Sequence, residues 1–143
     1  MKFKMRILHF SPAGNAEKVA NSIARDQQAN SDRIPPAYPV ENEKLLILGI
    51  EMKGSSVEKA VLDLCKDLNP SRVKNVAIYA IGSASFTAIN EVKELVSSKG
   101  INFVGDVYEC TLKGGLFKKG SVTDDDVKNI TAWAGKIIDS LVE

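Results

Sequence analysis

Apolar residues follow two rhythms along this chain. Short continuous runs at Met5–Phe10, Leu45–Ile50, Val76–Ile81 and Ile101–Tyr108 alternate with stretches where apolar positions recur every three or four residues. Continuous runs suit strands covered on both faces in a parallel sheet, and the longer period predicts amphipathic helices between them. The first helical stripe is Ala16, Val19, Ala20, Ile23 and Ala24. The second is Val57, Val61, Leu64, Cys65 and Leu68, with Ser55-x-x-Glu58 predicting a capping box at its start and Asn69-Pro70 its end. Ile89, Val92, Leu95 and Val96 form the third, closed by Gly100. The last is the longest: Val127, Ile130, Ala134, Ile137, Ile138 and Leu141, preceded by Thr123-Asp124-Asp125-Asp126, which caps the helix and loads its first turn with negative charge.

The segment from Asn30 to Val40 breaks the pattern. Pro35, Pro36 and Pro39 forbid a central strand and leave room only for a short edge strand near Arg33–Ile34. In a doubly wound sheet of order 2-1-3-4-5 the second strand lies at the edge, where proline does least harm. The expected fold class is therefore α/β: a three-layer sandwich with a five-stranded parallel sheet, residues 1–143 forming one domain.

Composition narrows the function. The chain has 143 residues, 44% of them hydrophobic and 26% charged, which excludes disorder and a disulfide scaffold. A net charge of +1 lacks the basic excess of a nucleic-acid binder. Cys65 and Cys110 form no C-x-x-C pair and suit a reducing compartment. No run approaches the ~18 apolar residues of a membrane span, and Arg6 and His9 interrupt any signal-type segment at the start. A cytoplasmic protein, with no nucleic-acid or membrane partner, is the expectation.

Ligands of such sheets bind beyond the carboxyl ends of the strands, beside strand one. The loop there, Ser11-Pro12-Ala13-Gly14-Asn15-Ala16, is neither a G-x-G-x-x-G dinucleotide fingerprint nor a Gly-Lys-Ser/Thr triphosphate loop. The aspartate cluster of a receiver domain is missing too, since the ends of strands one and three read His9-Phe10-Ser11 and Gly49-Ile50-Glu51. A short glycine-containing loop that runs into a helix can offer backbone N–H groups and a positive dipole end to a phosphate. It can equally be an ordinary strand-to-helix turn, with Gly14 at the bend and Asn15 as the N-cap.

With Gly82-Ser83-Ala84-Ser85-Phe86 and the closing Gly120-Ser121-Val122-Thr123-x-x-Asp126, this loop resembles the short-chain flavodoxin family, whose phosphate loop reads Thr/Ser-x-Thr/Ser-Gly-x-Thr. The resemblance covers nearly the whole chain. It implies an FMN-binding electron-transfer protein, an oxidoreductase component that meets a redox partner protein or a small electron acceptor. By position it implies a phosphate site at Ser11, Ala13, Gly14, Asn15 and Ala16. The ring would lie between a first wall holding Met52 and Gly54 and a second holding Gly82, Ser83 and the stacking aromatic Phe86. Ala13 and Ala16 stand where the family has hydroxyls, each removing a hydrogen bond to phosphate worth ~1.5–3 kcal/mol. The expectation is weak FMN binding, which Thr at both positions should strengthen. The alternative is a flavodoxin fold without flavin, acting as a binding or regulatory module.

Other residues carry plainer readings. His9 is expected to be a satisfied buried histidine, Cys65 and Trp133 core, Met52 either ring wall or core plug, and Phe86 either stacker or packing at a helix start. Lys113, Lys118 and Lys119 around Gly114-Gly115 read as a basic loop. No constellation of acid, base and nucleophile stands out, so no catalytic residue is assigned.

Overall fold

The computed structural model of the chain describes residues 2–113 and 120–142. Its elements run β1 (Met5–Phe10), α1 (Asn15–Gln27), β2 (Asn30–Arg33), β3 (Glu43–Glu51), α2 (Lys59–Asp67), β4 (Val73–Gly82), α3 (Ile89–Ser98), β5 (Asn102–Phe103), β6 (Tyr108–Thr111) and α4 (Asp124–Leu141). The sheet order is β2-β1-β3-β4-β5, with β6 also on β4, and every pairing is parallel. The expected α/β architecture and strand order are both present. The proline-rich segment contributes only the short edge strand β2, which ends before Ile34 and Pro35.

Alternation along the strands builds two cores. Ile7, Leu45, Ile47, Ala77, Tyr79 and Ile81 face α1 and α4, while Leu8, Leu46, Leu48, Ile50, Val76 and Ile78 face α2 and α3. Each central strand is buried on both sides, the physical reason its sequence is a run rather than an alternation.

The fifth strand departs from expectation. The run Ile101–Tyr108 does not form one strand but is broken between β5 and β6. Three steps along β4, from Val76 to Tyr79, face five along the partner, from Phe103 to Tyr108. Gly105 sits in the break at φ 71°, and a Cβ there would come within 2.7 Å of Ile137 Cδ1 on α4. The detour thus follows the helix packed beneath it.

Helix ends divide similarly. Thr123 caps α4 as expected, its Oγ1 accepting from Asp126 N at 3.1 Å while Asp126 Oδ2 accepts from Thr123 N at 2.9 Å. Gly100, at φ 83°, follows the end of α3. The Ser55-x-x-Glu58 box does not form. Ser56 closes a two-residue turn with Lys53, their backbones exchanging hydrogen bonds of 2.9 Å, and Glu58 pairs with Lys53 at 3.3 Å.

Candidate functional site

The carboxyl ends of β1, β3 and β4 border an open cleft of about 1050 Å³. Pro12, Ala13 and Asn15 line it on the side of β1, and Met52 and Gly54 follow β3. Gly82 ends β4 and Ser83 follows it, with Lys113 two residues beyond β6. This is the position that the topology dictates, because the chain leaves β1 and β3 toward opposite faces and opens a crevice between them. A second cleft, of about 310 Å³, lies between Pro35, Pro36 and α2, away from the strand ends.

The loop between β1 and α1 is occupied by the chain's own carboxylate. Glu51, the last residue of β3 and 6% exposed, accepts hydrogen bonds from the Ser11 hydroxyl, from Ala13 N at 3.1 Å and from Ala16 N at 3.0 Å. Ser11 Oγ in turn accepts from Glu17 N at 2.8 Å, and Gly14 N donates to Ser11 O at 3.1 Å. The first turn of α1 has N–H groups with no partner inside the helix, at its positive dipole end. Here Glu51 accepts from that of Ala16 and Ser11 Oγ from that of Glu17. Parity along β3 explains the placement: Leu45, Ile47, Gly49 and Glu51 share the face that looks toward α1.

This arrangement corrects two expectations. The N-cap of α1 is Gly14, at φ 87°, with no side-chain cap, and Asn15 is already helical. Asn15 instead turns its Oδ1 to accept from Val122 N at 3.0 Å, tying the loop before α4 to the start of α1. Ala16 is fully buried in the α1–α4 core, and its carbonyl accepts from Tyr79 OH at 2.8 Å. A threonine at 16 would therefore project into packing rather than toward a ligand, so Ala16→Thr is not a route to tighter phosphate binding.

The two walls converge. A Cβ on Gly82 would sit 3.1 Å from Met52 Cγ and 3.5 Å from Phe86 Cε1. Met52 and Phe86 both pack against the α2–α3 core. Met52 faces the cleft as well; Phe86 is not among its lining and accepts, through its carbonyl, the N–H of Ile89 at 3.0 Å. Phe86 thus packs at a helix start. Gly54, at φ 60°, heads an open turn with nothing within 4 Å of a built Cβ. Ser83 is exposed at the rim.

Among the described residues, Glu51, Lys53, Glu58 and Lys113 are the charged groups that line the cleft. His9 is buried, and among the described residues its Nδ1 has no hydrogen-bond partner, contrary to the satisfied histidine expected. Burial lowers its pKa from 6.5, against the opposing pull of Glu17, Asp32 and Glu51. Burial pushes the Tyr79 hydroxyl up, and the neighbouring Glu51 adds to the effect. The Cys110 thiol is raised to about 11 by burial and by Asp126, and Cys65 to about 12 by burial, so both thiols stay protonated at neutral pH. Trp133 is half-buried, edge-on to Tyr79 and Tyr108, and donates to Asp106 O at 3.1 Å. Lys113 borders the cleft; the remainder of the basic loop, with Lys118 and Lys119, lies outside the described residues.

Glu51 is a site residue that the sequence shows only as the end of strand three, with no role assigned to it. The available signal was a carboxylate ending an otherwise apolar strand, at a parity that points to α1.

No protein-family model matches the sequence, and no curated protein matches it. Solved structures do match. A flavodoxin from the domain Archaea superposes with a TM-score of 0.74 at 12% identity, over 96% of this chain and 97% of that one. Oxidised flavodoxin 2 from Bacillus cereus gives 0.71 at 16%, over 96% and 99%. Rubredoxin oxygen:oxidoreductase from Desulfovibrio gigas gives 0.75 at 16%, over 96% of this chain and 36% of its own. The chain has the flavodoxin fold.

The fold implies FMN, and the residues present fit that group in one half only. The cleft between Met52, Gly54 and the Gly82–Ser83 backbone has the size and apolar wall for a planar ring. The phosphate half does not fit, because Ala13 N, Ala16 N and the Ser11 hydroxyl all serve Glu51.

Proposed function

We propose that this chain is a flavodoxin-like protein that takes a flavin ring weakly and exchangeably in the carboxyl-end cleft and passes electrons to a redox protein or a small acceptor. The supporting observation is the cleft of about 1050 Å³ at the switch point of a flavodoxin fold, walled by Met52 and the backbone of Gly82 and Ser83. The bound flavin would supply the redox chemistry; the chain's residues would position and shield the ring. Cys65 and Cys110, both free and buried, support a cytoplasmic setting. The charge balance of +1 speaks for a protein or small-molecule partner rather than nucleic acid, and among the described residues no helix is long and apolar enough to cross a membrane.

A second reading, a flavin-free module, is favoured by the carboxylate that fills the phosphate loop. Titration of the purified protein with riboflavin and with FMN, followed by flavin fluorescence and calorimetry, separates them. Saturable quenching by at least one flavin, with reversible reduction of the bound ring, supports the first. Unchanged fluorescence with both at high micromolar flavin leaves the flavin-free module.

A further inference from the structure

We infer that Glu51 is a built-in anion that makes this cleft select against phosphorylated ligands, so that the flavin it takes is the phosphate-free, riboflavin class rather than FMN. The ligand class rests on the flavin-ring reading above; the exclusion of phosphate rests on the loop alone.

Three donors of the loop are already engaged by Glu51. The Ser11 hydroxyl has one proton, which goes to Glu51, and its oxygen already accepts from Glu17 N at 2.8 Å. The N–H groups of Ala13 and Ala16 point at the same carboxylate, and Pro12 has none to offer. The carboxylate is 6% exposed, so an arriving phosphate would have to share those donors with a like charge in a poorly hydrated site, or expel it. Expulsion would strip Glu51 of its bonds from the helix N-terminus, while the first turn of α1 gained only what it already has. The one proton of the Tyr79 hydroxyl already goes to Ala16 O at 2.8 Å, so Tyr79 has none to give a displaced Glu51. An uncharged hydroxylated tail meets no such conflict, because Glu51 can remain in place and accept from it.

The test uses the full chain, Glu51→Ala and Glu51→Gln. Glutamine keeps the size and one acceptor while removing the charge, which guards against loss of fold in the alanine variant. Dissociation constants for riboflavin and FMN are measured by fluorescence on all three proteins. In a separate arm, inorganic phosphate is titrated while the amide resonances of Ala13 and Ala16 are followed. The expected results are riboflavin bound at least as tightly as FMN by the parent chain, and a shift of tenfold or more toward FMN in the variants. Inorganic phosphate should move the two amides in the variants but not in the parent. An unchanged riboflavin-to-FMN ratio across the three proteins overturns the inference while the flavin reading stands. If no protein binds either flavin, the flavin reading falls and the phosphate arm decides: amides that shift only in the variants uphold exclusion by Glu51, whereas identical behaviour in all three overturns it.

Discussion

Tyr79 crosses directly over Gly49 on the neighbouring strand to donate its hydroxyl to the carbonyl of Ala16, 2.8 Å away. A Cβ on Gly49 would fall inside the tyrosine, 2.7 Å from Cε2 and closer still to Cζ and the hydroxyl. Gly49 is thus the absence of a side chain that lets a buried tyrosine tie β4 to the start of α1.

Gly49→Ala should cost about 1–3 kcal/mol or more, the range for overpacking a close-packed core. Tyr79→Phe keeps the ring and removes only the hydroxyl, for a loss of about 0.5–1.5 kcal/mol. Urea unfolding of the two variants checks the ranking. A Gly49→Ala protein as stable as the parent would show that β3 and β4 separate freely at this point.

Asn15 binds two elements by one bond. Asn15→Ala leaves the buried N–H of Val122 without its acceptor, at a cost of about 1–3 kcal/mol. Hydrogen exchange should quicken at Val122 before it does in the centre of β4. Exchange at Val122 unchanged in the variant would mean that another acceptor serves it.

The capping box of α4 is testable in isolation from the cleft. Thr123→Ala should lower stability by about 1 kcal/mol, within the 0.5–2 kcal/mol of such caps, and Thr123→Ser should recover most of it. Thermal unfolding of the three proteins reads the effect, and indistinguishable midpoints would show that α4 is held by its apolar face alone.

His9 is the chain's sole histidine, and burial holds its pKa below 6.5 in the folded protein. The unfolded chain therefore binds the proton first as pH falls below 6.5, and stability declines until the folded-state pKa is reached. Above 6.5 the group is neutral in both states and contributes no slope. Glu43 acts in the opposite sense at lower pH: burial raises its pKa above 4.5, against the pull of Lys4 and Arg6, so its contribution is fully present below 4.5 and is lost as pH rises through the folded value. Urea midpoints between pH 7.5 and 5.5 should fall for the parent and fall less for His9→Gln. Parallel curves for the two proteins would assign the acid sensitivity elsewhere.

Much of this fold was legible because burial on both faces writes itself as continuous apolar runs. Met5–Phe10 appears as a strand with the bounds expected, and the strand order follows from placing the prolines at an edge. Thr123 and Asp126 announced the cap of α4, since a capping box is a local exchange between residues three apart. The broken fifth strand was not legible: Val104 and Val107 read the same whether they sit in a ladder or pack on a detour, and the decision lies with Ile137, far along the chain.

The site divides along the same line. From its amino acids alone this protein is a parallel α/β sandwich with a glycine-bearing loop ahead of its first helix, because period, punctuation and local capping are short-range properties. Only the tertiary structure decided what that loop binds. Glu51 lies 35 residues or more from every donor it meets, and strand parity and the crossing of β3 beside β1 bring it there. A helix N-terminus demands an acceptor, but whether that acceptor is a ligand or a carboxylate of the same chain depends on which long-range group arrives within hydrogen-bond reach.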